Sequence, residues 1–483
     1  MYTFIISIIM LVVGYFTYGK YIEKMFGVKE ERATPAYVNQ DGVDYLPMSS
    51  NKNSLIQLLN IAGVGPIFGP IMGALYGPVA FIWIVLGCIF AGAVHDYLTG
   101  MISIRNRGAH LPELAGKFLG KVMKHVVNAF AILLLILVGT VFVTSPASLL
   151  HNLMNGKVSL VMITLVIFAY YILATLLPID KIIGRFYPIF GALLLIASLG
   201  VGGMLIIQQV PIPELTLANL HPDQMPIFPL LFLTITCGAL SGFHATQTPI
   251  ISRTTQTEKQ GRKIFYGMMI AEGIIAMVWA AAAMSLFQGS NGLNELLATG
   301  GTGLVVSEVA KVTLGAVVGT LAVLGVIVLP ITSGDTAFRS ARMIIADYIK
   351  LPQFSMKRRL IIAVPLFLIS IALTQIDFNI LWRYFSWANQ ATAVIALFVS
   401  AMYLFIARKN YWVALIPGAF MLYTTTAYIL NAEIGFRQSM NVSYILGAVI
   451  SAVLVIVFFK AAQKARAAEM PLEVDVSEYH KVA

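Results

Sequence analysis

Charge is what this 483-residue chain has little of: 11% of its residues are charged and 58% are hydrophobic, with a mean hydropathy of +0.83. That is too little charge to cover a water-soluble domain, and the apolar runs are long enough to span a bilayer many times over. Cysteine is almost absent. Cys88 and Cys237 fall in separate apolar runs, and so read as small buried hydrophobes rather than as a disulfide or a metal pair. No Gly-x-x-x-x-Gly-Lys-Ser/Thr phosphate loop, His-Glu-x-x-His zinc motif or Gly-x-Ser-x-Gly elbow occurs, which argues against an ATP motor and against an enzyme. The first apolar run has no basic stretch before it and no small-residue cleavage site, so it reads as a retained helix and not as a signal peptide.

What is present is basic residues in a pattern. Runs of about 20 apolar residues predict thirteen spans, near 3–19, 55–77, 78–104, 122–150, 158–178, 187–210, 226–249, 264–287, 313–332, 360–375, 380–406, 411–430 and 440–460. The connections after the odd-numbered spans, with the C-terminal tail, carry 28 of the 32 Lys and Arg residues, and the alternate connections carry four. Basic loops face the cytoplasm, so the expected topology is N-terminus outside and C-terminus inside, in the cytoplasmic membrane. The net charge of +10 therefore records orientation, and no nucleic-acid partner is expected. The partners expected are the lipid bilayer and a small-molecule substrate; no stretch marks an oligomeric state.

The stretch Asn60–Gly77 is apolar, yet Gly63, Gly65, Pro66, Gly69, Pro70 and Gly73 crowd its middle. Each proline removes an amide donor and clashes with the preceding turn, so a break around the two Gly-Pro pairs is expected. Unpaired backbone cannot face lipid and must be buried in protein or line a wet cavity. A second interruption is expected from Thr234 to Arg253, around Ser241, Gly242 and His244. Gly65 and Gly242 stand 177 residues apart, which is five spans. An odd number reverses direction, giving two inverted repeats that each open with a broken helix. The expected organisation is a first helix and cytoplasmic loop (1–54), repeat 1 (55–210), repeat 2 (211–406), then two further helices and a tail (407–483). Among the connections, 289–312 reads as an external loop and either a lid or a passive linker. Residues 335–351 read as an interfacial helix capped by Asp335, 27–54 as a polar loop, and the tail from Lys460 as frayed.

The run Gly65-Pro66-Ile-Phe-Gly69-Pro70, with Tyr76-Gly-Pro-Val-Ala-Phe-Ile-Trp-Ile-Val-Leu-Gly-Cys88-Ile-Phe-Ala-Gly92-Ala-Val-His95-Asp96-Tyr97, resembles the carbon starvation protein A family. Ser241-Gly-Phe-His244-Ala-Thr-Gln-Thr248-Pro and Asn389-Gln390 extend the likeness over most of the chain. The family's longer members carry additional sequence toward the C-terminus. The resemblance implies an all-α polytopic fold of the leucine-transporter type, with a five-plus-five inverted repeat. It also implies uptake of peptides, or of pyruvate in close relatives, during nutrient limitation, with no cofactor beyond a coupling proton or sodium ion.

Half-helix N-termini suit a substrate carboxylate, and unwound carbonyls suit a cation. The expected substrate cradle is Gly63, Gly65, Pro66, Gly69, Ser241, Gly242, His244 and Thr246, with Asn389 and Gln390 from the eleventh span. The plainer alternatives are a Ser241 hydroxyl bonded to its own helix, a satisfied core imidazole at His244, and an amide pair gluing helices together. His95 and Asp96 lie about 12–14 Å from the cytoplasmic end of their helix. With Glu272 at similar depth in the matching helix, they are candidates for proton coupling, or else pin neighbouring helices. In the fold implied by the resemblance, Thr332 and Ser333 occupy a possible sodium site. The leading reading is an ion-coupled importer; a transport-like nutrient sensor and a membrane enzyme are the alternatives.

Overall fold

The computed structural model describes residues 1–474 except 43, 155, 177–178 and 354, and it does not describe the side chains of 175–188 and 190. The expected spans 158–178 and 187–210 and the frayed tail therefore fall partly outside the described residues. Helices, in chain order, are α1 (Tyr2–Phe26), α2 (Ser50–Ile61), α3 (Gly65–Gly73), α4 (Val79–Ile104), α5 (Lys121–Leu153), α6 (Leu160–Leu176), α7 (Ile179–Ile207) and α8 (Ile227–Thr234). They continue as α9 (Gly242–Ser252), α10 (Glu258–Leu286), α11 (Ser290–Tyr348), α12 (Met356–Leu373), α13 (Phe378–Ile406), α14 (Trp412–Asn431) and α15 (Met440–Ala467). Among the described residues eight are long and apolar enough to be spans outright, and α2 with α3 makes a ninth, bent by 48°.

The apolar faces sort these helices between core and periphery. In α15 Ile445, Leu446, Val449, Val453, Ile456 and Val457 are exposed, as are Ile5, Ile6, Ile9 and Val13 of α1. Such surfaces aggregate in water but suit hydrocarbon. By contrast α4, α10 and α13 are mostly buried and form the centre, with the two interrupted helices packed among them.

Both interruptions are present, one displaced from its expected place. The first lies at 62–64, where Ala62 leaves helical geometry. Pro66 sits in the first turn of α3, where its missing N–H costs nothing, and Gly65–Gly73 is helical through Pro70. The Gly-Pro pairs therefore begin the second half-helix instead of forming the break. The second interruption spans 235–241. Gly238 adopts φ +88° there, a left-handed conformation that glycine takes without steric cost. The two breaks press together: a Cβ on Gly65 would stand 2.3 Å from Cys237 Sγ, and one on Gly92 would stand 2.2 Å from the Ala239 carbonyl oxygen. Gly92 closes a π-helical turn, Cys88–Gly92, of the kind that re-aims helix faces.

Two expectations for α11 are corrected. Residues 290–348 form one helical run bent at Gly300, Gly301 and Gly315, so the expected external loop is helical. Asp335 is not a cap at the start of an interfacial helix. It lies mid-helix and buried, as do Arg339 and Arg342, because the helix runs on through Pro330 and past the apolar stretch. Residues 27–54 include a helical turn, Pro35–Val38.

The basic connections gather at one end of the bundle. Arg105 donates to Glu258 through Nε and Nη2 (both 2.8 Å), to the Gly27 carbonyl (2.7 Å), and through Nη1 to Tyr403 (3.0 Å) and Glu473 (3.1 Å). Arg32 joins the same carboxylates at 3.6 and 2.5 Å. Beside this network lies a cavity of about 1040 Å³, lined by Arg107, Lys117, Arg253 and Asp347 among others. His110 also lines it. Burial, reinforced by the Arg253 guanidinium, holds that imidazole well below its ordinary pKa.

Candidate transport site

Each candidate side chain is aimed by a local feature of its helix. Past the π-helical turn, α4 turns His95 and Asp96 into the protein, where both are fully buried. Ser241 stands at the N-cap of α9 in an extended conformation, and α10 carries Glu272, equally buried. These groups form one chain of contacts. His95 Nδ1 lies 2.8 Å from Asp96 Oδ1 and His244 Nδ1 lies 2.9 Å from Asp96 Oδ2. His244 Nε2 faces Glu272 Oε2 at 3.4 Å. The chain crosses from helix α4 to α9 and α10.

Its electrostatics are unusual for a membrane interior. Two carboxylates lie in the core, and among the described residues their ion-pair partners are imidazoles; no lysine or arginine pairs with them. Neither Glu272 oxygen, nor His244 Nε2, nor His95 Nε2 has a hydrogen bond of acceptable geometry. A buried carboxylate without a fixed counter-ion is costly and is relieved by taking up a proton or a cation. The arrangement can therefore hold and release a small positive charge beside the second broken helix.

Asn389 and Gln390 hold the second interruption in place. Asn389 Oδ1 accepts from the Phe243 amide (2.6 Å) and from Ser241 Oγ (3.2 Å), supplying the cap that α9 otherwise lacks. The Ser241 hydroxyl is thus turned across to α13 and not back onto its own helix. Gln390 Nε2 donates to the Leu240 carbonyl at 2.9 Å.

Other candidates lie apart from the buried acids. Thr246 Oγ1 bonds its own helix at the Phe243 carbonyl, and Gly69 backs onto Thr234. Gly63 lies in the first break against Phe142, and Gly65, Pro66 and Gly242 mark the half-helix starts. Thr332 and Ser333 are mid-helix in α11, not at its end; Ser333 Oγ donates to the Leu59 carbonyl at 2.8 Å, just before the first break. No candidate site residue lines the cavity at the basic end, and all of them are buried, so the site is closed off in this conformation.

Sequence reasoning missed Cys237. Its thiol lies in the second break, and its sulfur, His244 and Glu272 offer ligand atoms all within 4.8 Å of one another. The available signal was its position seven residues before His244, inside the expected interruption.

Comparison with known proteins assigns the fold and the family. The sequence model described as Carbon starvation protein CstA matches residues 1–168, 152–309 and 282–428. The chain belongs to the CstA family. An uncharacterized membrane protein of Haemophilus influenzae is 49% identical over 349 residues, covering 62% of this chain and 94% of the relative. The peptide transporter CstA of Escherichia coli K12 is 26% identical, over 90% of this chain and 82% of its own. The pyruvate/proton symporter BtsT of the same organism is 28% identical over 57% of this chain, which spans 48% of that longer protein. MhsT, solved in complex with L-phenylalanine, superposes with a TM-score of 0.56 at 13% identity, over 86% of this chain and 99% of its own. CstA-family membership and the all-helical, leucine-transporter-type architecture make this protein a membrane transporter.

Proposed function

We propose that this protein is an ion-coupled secondary transporter importing a small carboxylated nutrient, a peptide or pyruvate, across the cytoplasmic membrane as part of a carbon-starvation response. The observation that carries this reading is the His95–Asp96–His244–Glu272 chain, two buried carboxylates answered by imidazoles beside the second broken helix. A proton taken up there from outside and released inside supplies the coupling, with His95, Asp96 and Glu272 as the groups that carry it. Gly63, Gly65, Pro66, Gly69, Ser241, Gly242, His244, Thr246, Asn389 and Gln390 form the cradle, where half-helix amides receive the substrate carboxylate. The chain lies with its basic end in the cytoplasm, N-terminus outside and C-terminus inside. The names of the E. coli relatives support both solute classes, and that of BtsT supports the proton.

One contact favours a second ion. The Ser333 hydroxyl against the Leu59 carbonyl joins the two repeats with oxygens suited to a hard cation, and Thr332 adjoins it. Uptake of labelled pyruvate, and in parallel of a labelled dipeptide, into proteoliposomes with a proton or a sodium gradient imposed separately tests both readings. Accumulation driven by one gradient and collapsed by its ionophore supports transport and names the ion. Absence of accumulation of either solute under both gradients refutes the proposal.

A further inference from the structure

Three ligand types converge in the second break, and the coupling reading uses only two of them. Cys237 supplies a thiol, His244 an imidazole nitrogen and Glu272 a carboxylate, with the ligand atoms all within 4.8 Å of one another. The chain's other cysteine, Cys88, donates to the Met269 carbonyl at 3.3 Å and is committed to its own helix packing. Cys237 Sγ has a single weak hydroxyl neighbour on either side, Ser241 Oγ at 3.5 Å and Thr236 Oγ1 at 3.9 Å. The absent Cβ of Gly65 leaves the sulfur its room.

The second observation is the orientation of His244. Its Nδ1 is held by Asp96 at 2.9 Å, while Nε2 is turned toward the Glu272 carboxylate at 3.4 Å, with the Cys237 sulfur close by. A carboxylate fixing one imidazole nitrogen so that the other is free for a metal is the usual support of a ligating histidine. Glu272 has no exposed surface, and among the described residues its one ion-pair partner is that imidazole. The three ligand atoms thus share one small volume.

We infer that Cys237, His244 and Glu272 form a binding site for a thiophilic divalent transition-metal ion of the Zn²⁺ or Co²⁺ class, with Asp96 as the positioning residue. Sulfur and imidazole select this class over Mg²⁺ and Ca²⁺, which take oxygen ligands. Metal–ligand bonds of about 2.0–2.3 Å in a tetrahedral arrangement place ligand atoms roughly 3.3–3.8 Å apart. The His244–Glu272 separation of 3.4 Å already meets that, and the thiol approaches by about 1 Å to complete it. Coordination takes the thiolate form, the thiol proton leaving to solvent, and three protein ligands leave a fourth position open. The ion reaches the site when the repeats part. The consequence for transport rests on the coupling reading: a metal ion held there occupies the place of the proton and arrests the cycle.

The test is a Co²⁺ titration of the purified full-length protein in detergent, followed by the thiolate-to-cobalt charge-transfer absorption. A saturable band at one Co²⁺ per chain is expected, kept in Cys88→Ser and lost in Cys237→Ser. Asp96→Asn is expected to weaken Co²⁺ binding about 10- to 100-fold. Size-exclusion elution matching the wild type certifies each variant as folded. Absence of the band in the wild type, or its persistence in folded Cys237→Ser, overturns the site whatever the transported solute. Uptake is a separate arm: micromolar Zn²⁺ is expected to block it reversibly, with chelator restoring it. Co²⁺ binding at Cys237 with Zn²⁺-indifferent uptake leaves the metal site standing and refutes the coupling role of Glu272.

Discussion

Replacing Asp96 with asparagine removes the one carboxylate that touches both imidazoles and changes little else, since the amide has nearly the same shape. Asp96 accepts from His95 at 2.8 Å and from His244 at 2.9 Å. Hydrogen bonds to a charged partner contribute about 1.5–3 kcal/mol and neutral ones about 0.5–1.5 kcal/mol. Losing the charge from two such bonds therefore costs the cation-loaded state about 2 kcal/mol, or roughly a 30-fold fall in its population at 1.36 kcal/mol per decade. Substrate binding without a gradient does not require that state. Asp96→Asn is thus expected to lower concentrative uptake about 10- to 100-fold, while equilibrium binding of the labelled solute changes no more than a few-fold. The assay pairs gradient-driven uptake in proteoliposomes with binding to the detergent-solubilised protein. Accumulation equal to wild type at every external pH would refute the reasoning and remove Asp96 from the coupling path.

Asn389→Ala strips the cap from α9 and leaves the buried Phe243 amide and Ser241 hydroxyl unpaired; a loss of about 1–3 kcal/mol is expected, read as a lower Tm in detergent, with Asn389→Asp recovering most of it. Gly242→Ala places a Cβ 2.1 Å from the Asn389 carbonyl oxygen and 2.4 Å from the Ala393 nitrogen. Overpacking against backbone costs about 1–3 kcal/mol, so thermal stability falls and uptake slows; an unchanged Tm would contradict the close approach of α9 and α13. His110 is kept neutral by burial and by Arg253, so the unfolded chain binds the extra proton first. Its contribution is complete above the ordinary histidine pKa near 6.5 and is lost as pH falls below it, at up to about 1.4 kcal/mol per pH unit. A Tm that declines between pH 7 and 5.5 in the wild type and less steeply in His110→Gln is expected. Equal slopes would remove His110 as the cause.

The architecture was legible in the sequence because the membrane makes two demands that leave linear traces. Apolar runs had to be long enough to span, and basic residues had to fall in alternate connections, and those connections do gather at one end around Arg105, Glu258 and Arg32. The interruptions were legible as regions and not as residues. Proline was read as the breaker at 65–70, but in the first turn of a helix it costs nothing, so the break moved to 62–64. The reach of α11 was illegible for a related reason: 335–351 reads as an interfacial helix, yet Asp335, Arg339 and Arg342 are buried within the bundle. At the site, His95, Asp96, His244 and Glu272 were each identifiable as costly inside a bilayer. Their contact across three helices was not, since it depends on the π-helical turn at Cys88–Gly92 and on glycines at 65 and 92 that admit the breaks to one another.

The central claim is that cation movement through the buried acid–imidazole chain drives solute entry. It is tested most directly by trapping a pH-sensitive dye inside proteoliposomes and adding pyruvate or the dipeptide outside without any imposed gradient. The account predicts acidification of the lumen in step with solute entry, reduced about 10- to 100-fold in Asp96→Asn. Solute entry with no change in lumenal pH, or acidification of equal size in the variant, would contradict it.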